Sequence, residues 1–215
     1  MEKSIVIAGF GGQGALLAGQ LLAYAALSVD KQVTWLPSYG PEMRGGTAHC
    51  TVVISDDAIG SPLVHNPDYV VAMNGPSTAK YLPLVKRGGL LIYNCDLVNT
   101  PVARPDITVL PLPAGQLAQR AGDRHLVNTV MIGALVEQTG ILPLTAVEAA
   151  LMAHLPEHHR DLLAVNQRAL HEGAIYPLTL ALPPNLPQSW GGVVNGSLSK
   201  ACPGRMGRAR EGLVT

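Results

Sequence analysis

An α/β fold that turns helical in its second half is what this sequence predicts, and three observations carry the prediction. A short apolar run, Ser4-Ile-Val-Ile-Ala8, leads straight into a glycine cluster, Gly9-Phe-Gly-Gly-Gln-Gly14, and then into a helix. Further apolar runs of strand length recur as far as residue 110, separated by turn residues. Beyond that point the apolar residues take up the period of helices. One α/β domain with a tail accounts for 215 residues better than two domains do.

The elements follow in order. Residues 4–8 have the continuous apolar character of a strand buried in a parallel sheet. Helix 14–29 is apolar on nearly every face, and its small residues Ala15, Ala18, Gly19 and Ala23 allow close backbone packing. Gln32–Leu36 is a second strand running into the segment Pro37-Ser-Tyr-Gly-Pro-Glu-Met-Arg-Gly-Gly46. In Thr47–Ile54 the residues Ala48, Cys50, Val52 and Ile54 alternate with Thr47, His49 and Thr51, the period of a half-buried strand. Tyr69–Met73 and Gly89–Tyr93 are buried strands, with a short helix over Pro76–Val85 between them. Ile107–Leu110 is the last strand. Helix 125–139 carries apolar residues around most of its circumference, so it is expected to be buried on several sides. Helices 144–154 and 157–173 follow. From Pro177 the chain changes character: Pro183-Pro184, Gly191-Gly192 and the basic residues Lys200, Arg205, Arg208 and Arg210 mark a weakly structured tail. Residues 1–176 are therefore assigned to the domain and 177–215 to the tail.

Composition excludes several classes of function. Fifteen basic and fifteen acidic residues cancel, which gives no electrostatic basis for binding nucleic acid or an anionic membrane. The charged fraction, 14 %, is low enough to suggest that partner subunits cover part of the surface. The three cysteines, Cys50, Cys95 and Cys202, lie far apart with no C-x-x-C pair. Neither a structural zinc nor an iron–sulfur cluster is expected on this chain, and a reducing cytoplasm fits. No charge occurs from Ser4 to Val29. The glycine cluster splits that stretch, however, and leaves a helix shorter than the roughly 20 residues a membrane span needs.

Two glycine-marked segments hold the candidate site. Gly9, Gly11 and Gly14 match G-x-G-x-x-G, in which glycines permit a tight turn and the helix N-terminus offers free N–H groups to a phosphate. Glycines that only let strand and helix pack closely would read the same way. The acidic residue that holds a dinucleotide ribose at the end of the second strand is missing; Leu36-Pro37 stands there. In the second segment Tyr39, Glu42 and Arg44 have no role in a simple turn. An arginine framed by prolines and glycines suits a carboxylate, a phosphate or a partner subunit, and the alternative is a local Glu42–Arg44 pair on a solvated loop. His49, His65, His154, His158 and His159 show no metal-ligand spacing, and Asp56, Asp57 and Asp68 read as turn formers. No nucleophile is nominated.

Residues 9–15, 37–46, 51–56 (Thr-Val-Val-Ile-Ser-Asp) and 67–74 (Pro-Asp-Tyr-Val-Val-Ala-Met-Asn) closely resemble the gamma subunit of 2-oxoacid:ferredoxin oxidoreductases, the 2-oxoglutarate type above all. The likeness runs from about residue 4 to residue 175. It implies a Rossmann-like open, mostly parallel sheet flanked by helices. It also implies oxidative decarboxylation of a 2-oxoacid with coenzyme A and ferredoxin. Thiamine diphosphate, magnesium and the iron–sulfur clusters of such a complex are then expected on alpha, beta and delta subunits, with no cofactor held by this chain alone. Gly11, Gly12, Gln13 and Gly14 are expected to face coenzyme A, and Tyr39, Glu42 and Arg44 to touch coenzyme A or a neighbouring subunit. A stand-alone dinucleotide-binding reductase and a purely structural scaffold subunit remain the alternatives.

Overall fold

The computed structural model describes residues 1–38, 47–98, 102–155 and 161–181. The first strand, β1 (Glu2–Phe10), is longer than its apolar core, and α1 (Ala15–Leu27) follows the glycine turn. Then come β2 (Gln32–Ser38), β3 (Thr47–Ser55), β4 (Tyr69–Ala72), α2 (Gly75–Tyr81), β5 (Leu90–Asn94) and β6 (Thr108–Leu112). Four helices complete the described chain: α3 (Ala114–Ala121), α4 (Val127–Thr139), α5 (Leu144–His154) and α6 (Leu163–Ala181).

The six strands form one sheet in the order β2-β3-β1-β4-β5-β6. From β1 through β4, β5 and β6 the pairing is parallel, whereas β3 runs antiparallel to both β1 and β2. Five strands thus point one way and β3 alone points back. The reason lies in the chain between β2 and β3. Eight residues join them, too few for the crossover that a parallel pair needs. Pro111 lies in β6, at the sheet margin, where a missing N–H is tolerated.

Helices cover the two faces unequally. Ile5, Ile7, Cys50, Val52, Ile54, Val71 and Ile92 point to a large core shared with α1, α3, α4, α5 and α6. On the other face Val6, Ala8, Val70, Leu91 and Tyr93 pack under Tyr81 of α2 and Val85. As expected from its sequence, α4 is enclosed: Val130 to Val136 are all buried. It crosses α6 so closely that a Cβ on Gly133 would overlap the Leu170 carbonyl, and one on Gly173 the Val130 carbonyl.

Three features depart from the sequence reading. Helix α3 was not foreseen. The helix expected over Pro76–Val85 is α2 only to Tyr81, and Leu82–Leu84 continues as a 3₁₀ turn where Pro83 withholds an N–H. Helix α6 ends at Ala181 rather than Gly173, so it passes Pro177; its apolar run continues to the Pro183-Pro184 pair in the sequence.

Candidate functional site

The parallel strands of this sheet end at one edge, and the connections after β1 and β4 leave that edge toward opposite faces, since α1 and α2 belong to different cores. The crevice between the ends of β1 and β4 is therefore the switch point where open α/β sheets bind ligands. Gly9 lies at its floor. A Cβ there would meet the Gln13 Oε1 at 2.9 Å and the Met73 Cβ at 3.1 Å, so glycine is what lets the two strand ends approach.

Gln13 closes the turn. Its Oε1 accepts from the Phe10 backbone N–H at 2.7 Å and from Nδ2 of Asn74 at 2.9 Å. Asn74, 1 % exposed, accepts in turn from the Ser77 N–H at 2.8 Å through Oδ1 and so caps α2. One carboxamide pair thus fixes both loops across the crevice. The oxygen of Gln13 is engaged within the protein, and beside it Phe10, Gly11 and Gly12 are exposed.

A glycine turn that opens a helix can present backbone N–H groups to an anion. Gly12 (φ +90°) and Gly14 (φ +76°) adopt conformations that favour glycine, and Gly11 and Gly12 are exposed. Gly14 is the N-cap of α1 and supplies no side-chain acceptor, and the first turn contains no acidic residue. The N–H groups of that turn carry the positive end of the helix dipole. Behind it, Asn128 at the start of α4 lies against Gly14; a Cβ on Gly14 would come within 2.6 Å of its Nδ2. Gly9 and Gly14 therefore allow close packing, whereas a Cβ on Gly12 would meet nothing within 4 Å and it is the positive φ that favours glycine there.

Tyr39, Glu42 and Arg44 lie outside the described residues. The strand ends flanking them do not: Ser38 is paired with His49, and Thr47 with Phe10. Both therefore stand at the same edge of the sheet as the Gly9–Gly14 turn.

Other candidate residues have structural roles. Cys50 is fully buried, its Sγ donates to the Ala15 carbonyl at 3.3 Å, and burial pushes the thiol up to about 11, which suits a neutral packing group rather than a nucleophile. His49 packs tilted against Tyr81 with ring centroids 5.7 Å apart, and His154 stacks on Tyr24 at 3.6 Å. Among the described residues no three His, Cys, Asp or Glu side chains come together as a metal site, and no helix is long and apolar enough to cross a membrane. Asp68 is more than a turn former. It accepts from the Ser4 N–H at 3.1 Å and the Ser4 hydroxyl at 2.9 Å, and it pairs with Lys3 and Lys86 at the opposite edge of the sheet.

Sequence reasoning missed Asn74, Asn128 and Asp96. Asn74 had a local signal, an Asn-Gly-Pro run directly after a buried strand. Asp96 had none. Its Oδ2 accepts from the N–H groups of Gly115 and Gln116 at 2.7 and 3.1 Å, capping α3 from far away in the chain.

Comparison with known proteins agrees with this fold. Residues 4–176 match the family model described as pyruvate ferredoxin/flavodoxin oxidoreductase. The 2-oxoglutarate synthase subunit KorC of Methanothermobacter marburgensis is 41 % identical over 163 residues, which cover 73 % of this chain and 88 % of that one. The ketoisovalerate oxidoreductase subunit VorA of Methanothermobacter thermautotrophicus is 42 % identical over 135 residues, 63 % of this chain but 28 % of the relative. This chain thus spans little more than a quarter of that relative's length. A solved keto/oxoacid ferredoxin oxidoreductase gamma subunit from Geobacter sulfurreducens superposes with a TM-score of 0.72 at 31 % identity, covering 82 % of this chain and 99 % of the other. Matching a family model over most of its length and a gamma subunit in fold, the chain belongs to the pyruvate ferredoxin/flavodoxin oxidoreductase family.

Proposed function

We propose that this chain is the gamma subunit of a thiamine diphosphate-dependent 2-oxoacid:ferredoxin oxidoreductase in the cytoplasm. The complex would convert a 2-oxoacid and coenzyme A to an acyl-CoA and carbon dioxide, with the two electrons passing to ferredoxin. The 2-oxoglutarate synthase subunit that this chain matches over 88 % of its length favours 2-oxoglutarate, giving succinyl-CoA. Thiamine diphosphate, magnesium and iron–sulfur clusters belong on the alpha, beta and delta subunits in this reading, and the gamma chain brings no redox centre.

Its contribution is to binding. The observation that carries this is the uncapped, acid-free N-terminus of α1 at the same sheet edge as the strand ends flanking Pro37–Gly46. Backbone N–H groups at a helix start suit the phosphates of coenzyme A, and Arg44 adds a charge that such a ligand can pair with. A stand-alone dinucleotide reductase gains no support, because β2 ends in Leu36-Pro37-Ser38 without the acidic residue that would hold a ribose.

Arg44→Ala in the assembled complex is the test. Loss of one charge-assisted hydrogen bond is expected to raise the Michaelis constant for coenzyme A roughly tenfold. The constant for the 2-oxoacid is expected to stay unchanged. An unchanged coenzyme A constant with intact assembly would leave the chain a scaffold and sink the binding role.

A further inference from the structure

The glycine turn closes on a side chain whose two ends are told apart by its neighbours. Phe10 and Gln13 bond to each other twice. The Phe10 carbonyl accepts from the Gln13 N–H at 3.1 Å, and the Phe10 N–H donates to Gln13 Oε1 at 2.7 Å. A backbone N–H can only donate, so the end of the Gln13 amide that it meets is the oxygen. Asn74 is fixed in the same way. Its Oδ1 takes the Ser77 N–H, so its Nδ2 is the atom that reaches Gln13 Oε1 at 2.9 Å. Both amides are thus oriented by backbone donors, and neither can flip without losing a bond.

Asn74 is held firmly enough to impose that orientation. It is 1 % exposed, and its carbonyl accepts from the Thr78 N–H at 3.0 Å and the Thr78 hydroxyl at 2.8 Å. Immediately before it, the Met73 N–H donates to the Ala8 carbonyl at 2.8 Å, which ties the end of β4 to β1. A carbonyl oxygen has two lone pairs, and Phe10 and Asn74 take both of those on Gln13 Oε1. The amide nitrogen of Gln13 points away from both donors. Among the described residues none accepts from that nitrogen, and Gln13 is only half-buried, beside the exposed Gly11 and Gly12.

The cap of α2 needs only Oδ1 of Asn74, and the turn is closed by the two Phe10–Gln13 bonds. The Asn74–Gln13 bond adds a polarity: it turns an acceptor inward and leaves two N–H donors outward. We propose that Asn74 is a positioning residue for the ligand turn, orienting Gln13 so that Nε2 donates to an anionic oxygen of the ligand. The turn then presents donors alone, from backbone and side chain. It favours a group that only accepts, such as a phosphate, over a hydroxyl or amine that must also donate. This assignment rests on the coenzyme A reading given above, in which that oxygen belongs to a coenzyme A phosphate.

The test uses the complex produced with its partner subunits. Titration calorimetry gives the dissociation constant for coenzyme A, and ferredoxin reduction gives the Michaelis constants for coenzyme A and the 2-oxoacid. In Gln13→Glu one carboxylate oxygen keeps the Phe10 and Asn74 bonds, while the other replaces the outward donor with a negative acceptor. A negative charge at the start of α1 favours the helix, so the urea midpoint of the complex is expected to stay at or above wild type. Coenzyme A binding is expected to weaken roughly tenfold or more, through like-charge repulsion of the phosphate. Asn74→Ala leaves the amide free to turn and is expected to weaken coenzyme A roughly threefold to fivefold, with the 2-oxoacid constant unmoved. In a Gln13→Ala background the same substitution should weaken it no further, because Asn74 acts through Gln13. Wild-type coenzyme A affinity in Gln13→Glu, with a loss in Arg44→Ala, would overturn the donor role and leave the coenzyme A reading intact. Wild-type affinity in both would overturn that reading and this inference with it. An Asn74→Ala loss that keeps its full size without Gln13 would overturn the positioning role.

Discussion

At the scale of single residues, Asn74 and Gln13 decide the shape of the candidate site. Asn74 uses both ends of its carboxamide: Oδ1 caps α2 through the Ser77 N–H, and Nδ2 reaches Gln13 across the crevice. Asn74→Ala removes both and is expected to destabilise the protein by about 1–3 kcal/mol, a lost cap plus a lost buried hydrogen bond. Asn74→Asp keeps an acceptor for the cap, since Asp and Asn cap equally well, but turns a second oxygen toward Gln13 Oε1. Urea denaturation should therefore rank Asn74→Ala below Asn74→Asp, and both below wild type. In a Gln13→Ala background the Asp substitution should cost little, because the repelling partner is gone. An Asn74→Asp penalty that survives removal of Gln13 would show that the clasp does not join the two loops. The cap had a local signal in the Asn74-Gly75-Pro76 run, but the bond to Gln13 was not legible, because a glutamine that bonds forward to another strand looks the same as one that faces a ligand.

At the scale of elements, the crossing of α4 and α6 brings backbone closest to backbone among the described glycines. Gly133 faces Leu170 and Gly173 faces Val130, backbone against backbone. Helix propensity alone favours Gly→Ala by about 1 kcal/mol. At Gly173 a methyl group would instead overlap a carbonyl of α4, which no side-chain rotation relieves, and overpacking of that kind costs typically 1–3 kcal/mol. The overlap wins, so Gly173→Ala should lower the midpoint of urea unfolding, and a midpoint at or above wild type would refute the crossing. The sequence marked the strands and α4 well, since their apolar runs are local properties. It could not show that α3 exists, because the N–H groups of Gly115 and Gln116 are capped by Asp96 and not by a neighbour. It likewise left open that β3 runs against the other strands, a consequence of the short connection and not of its apolar pattern.

At the scale of the whole molecule, each edge of the sheet is tied by bonds between residues far apart in the chain. Among the described residues the carboxyl edge is held by the Gln13–Asn74 carboxamides and by the Asp96 carboxylate on the first N–H groups of α3, and it carries the glycines from which the sequence placed the candidate site. The opposite edge is tied by charge: Asp68, with its Ser4 bonds and its Lys3 and Lys86 pairs, holds β1 to the start of β4 and to the turn before β5. From sequence Asp68 looked like a turn residue because the groups that bind it lie on another strand. Burial works to raise its pKa, but the Ser4 N–H and hydroxyl and the Lys3 ammonium outweigh burial and hold the carboxyl below its ordinary value. A carboxyl depressed in the folded state stabilises fully at pH values above its unfolded pKa of about 3.9, and that stability drains away as pH falls below this value toward the folded pKa. The exposed Asp56, held down to about 2 by Lys31 and the N-terminal ammonium, titrates alike in wild type and in an Asp68 variant, so a comparison isolates Asp68. Unfolding free energies of wild type and Asp68→Asn, measured from pH 7 down to pH 3, should differ most near neutrality and converge as pH drops through 4. A gap that stays constant over that range would mean that Asp68 joins the strands by hydrogen-bond geometry alone and that its charge contributes nothing.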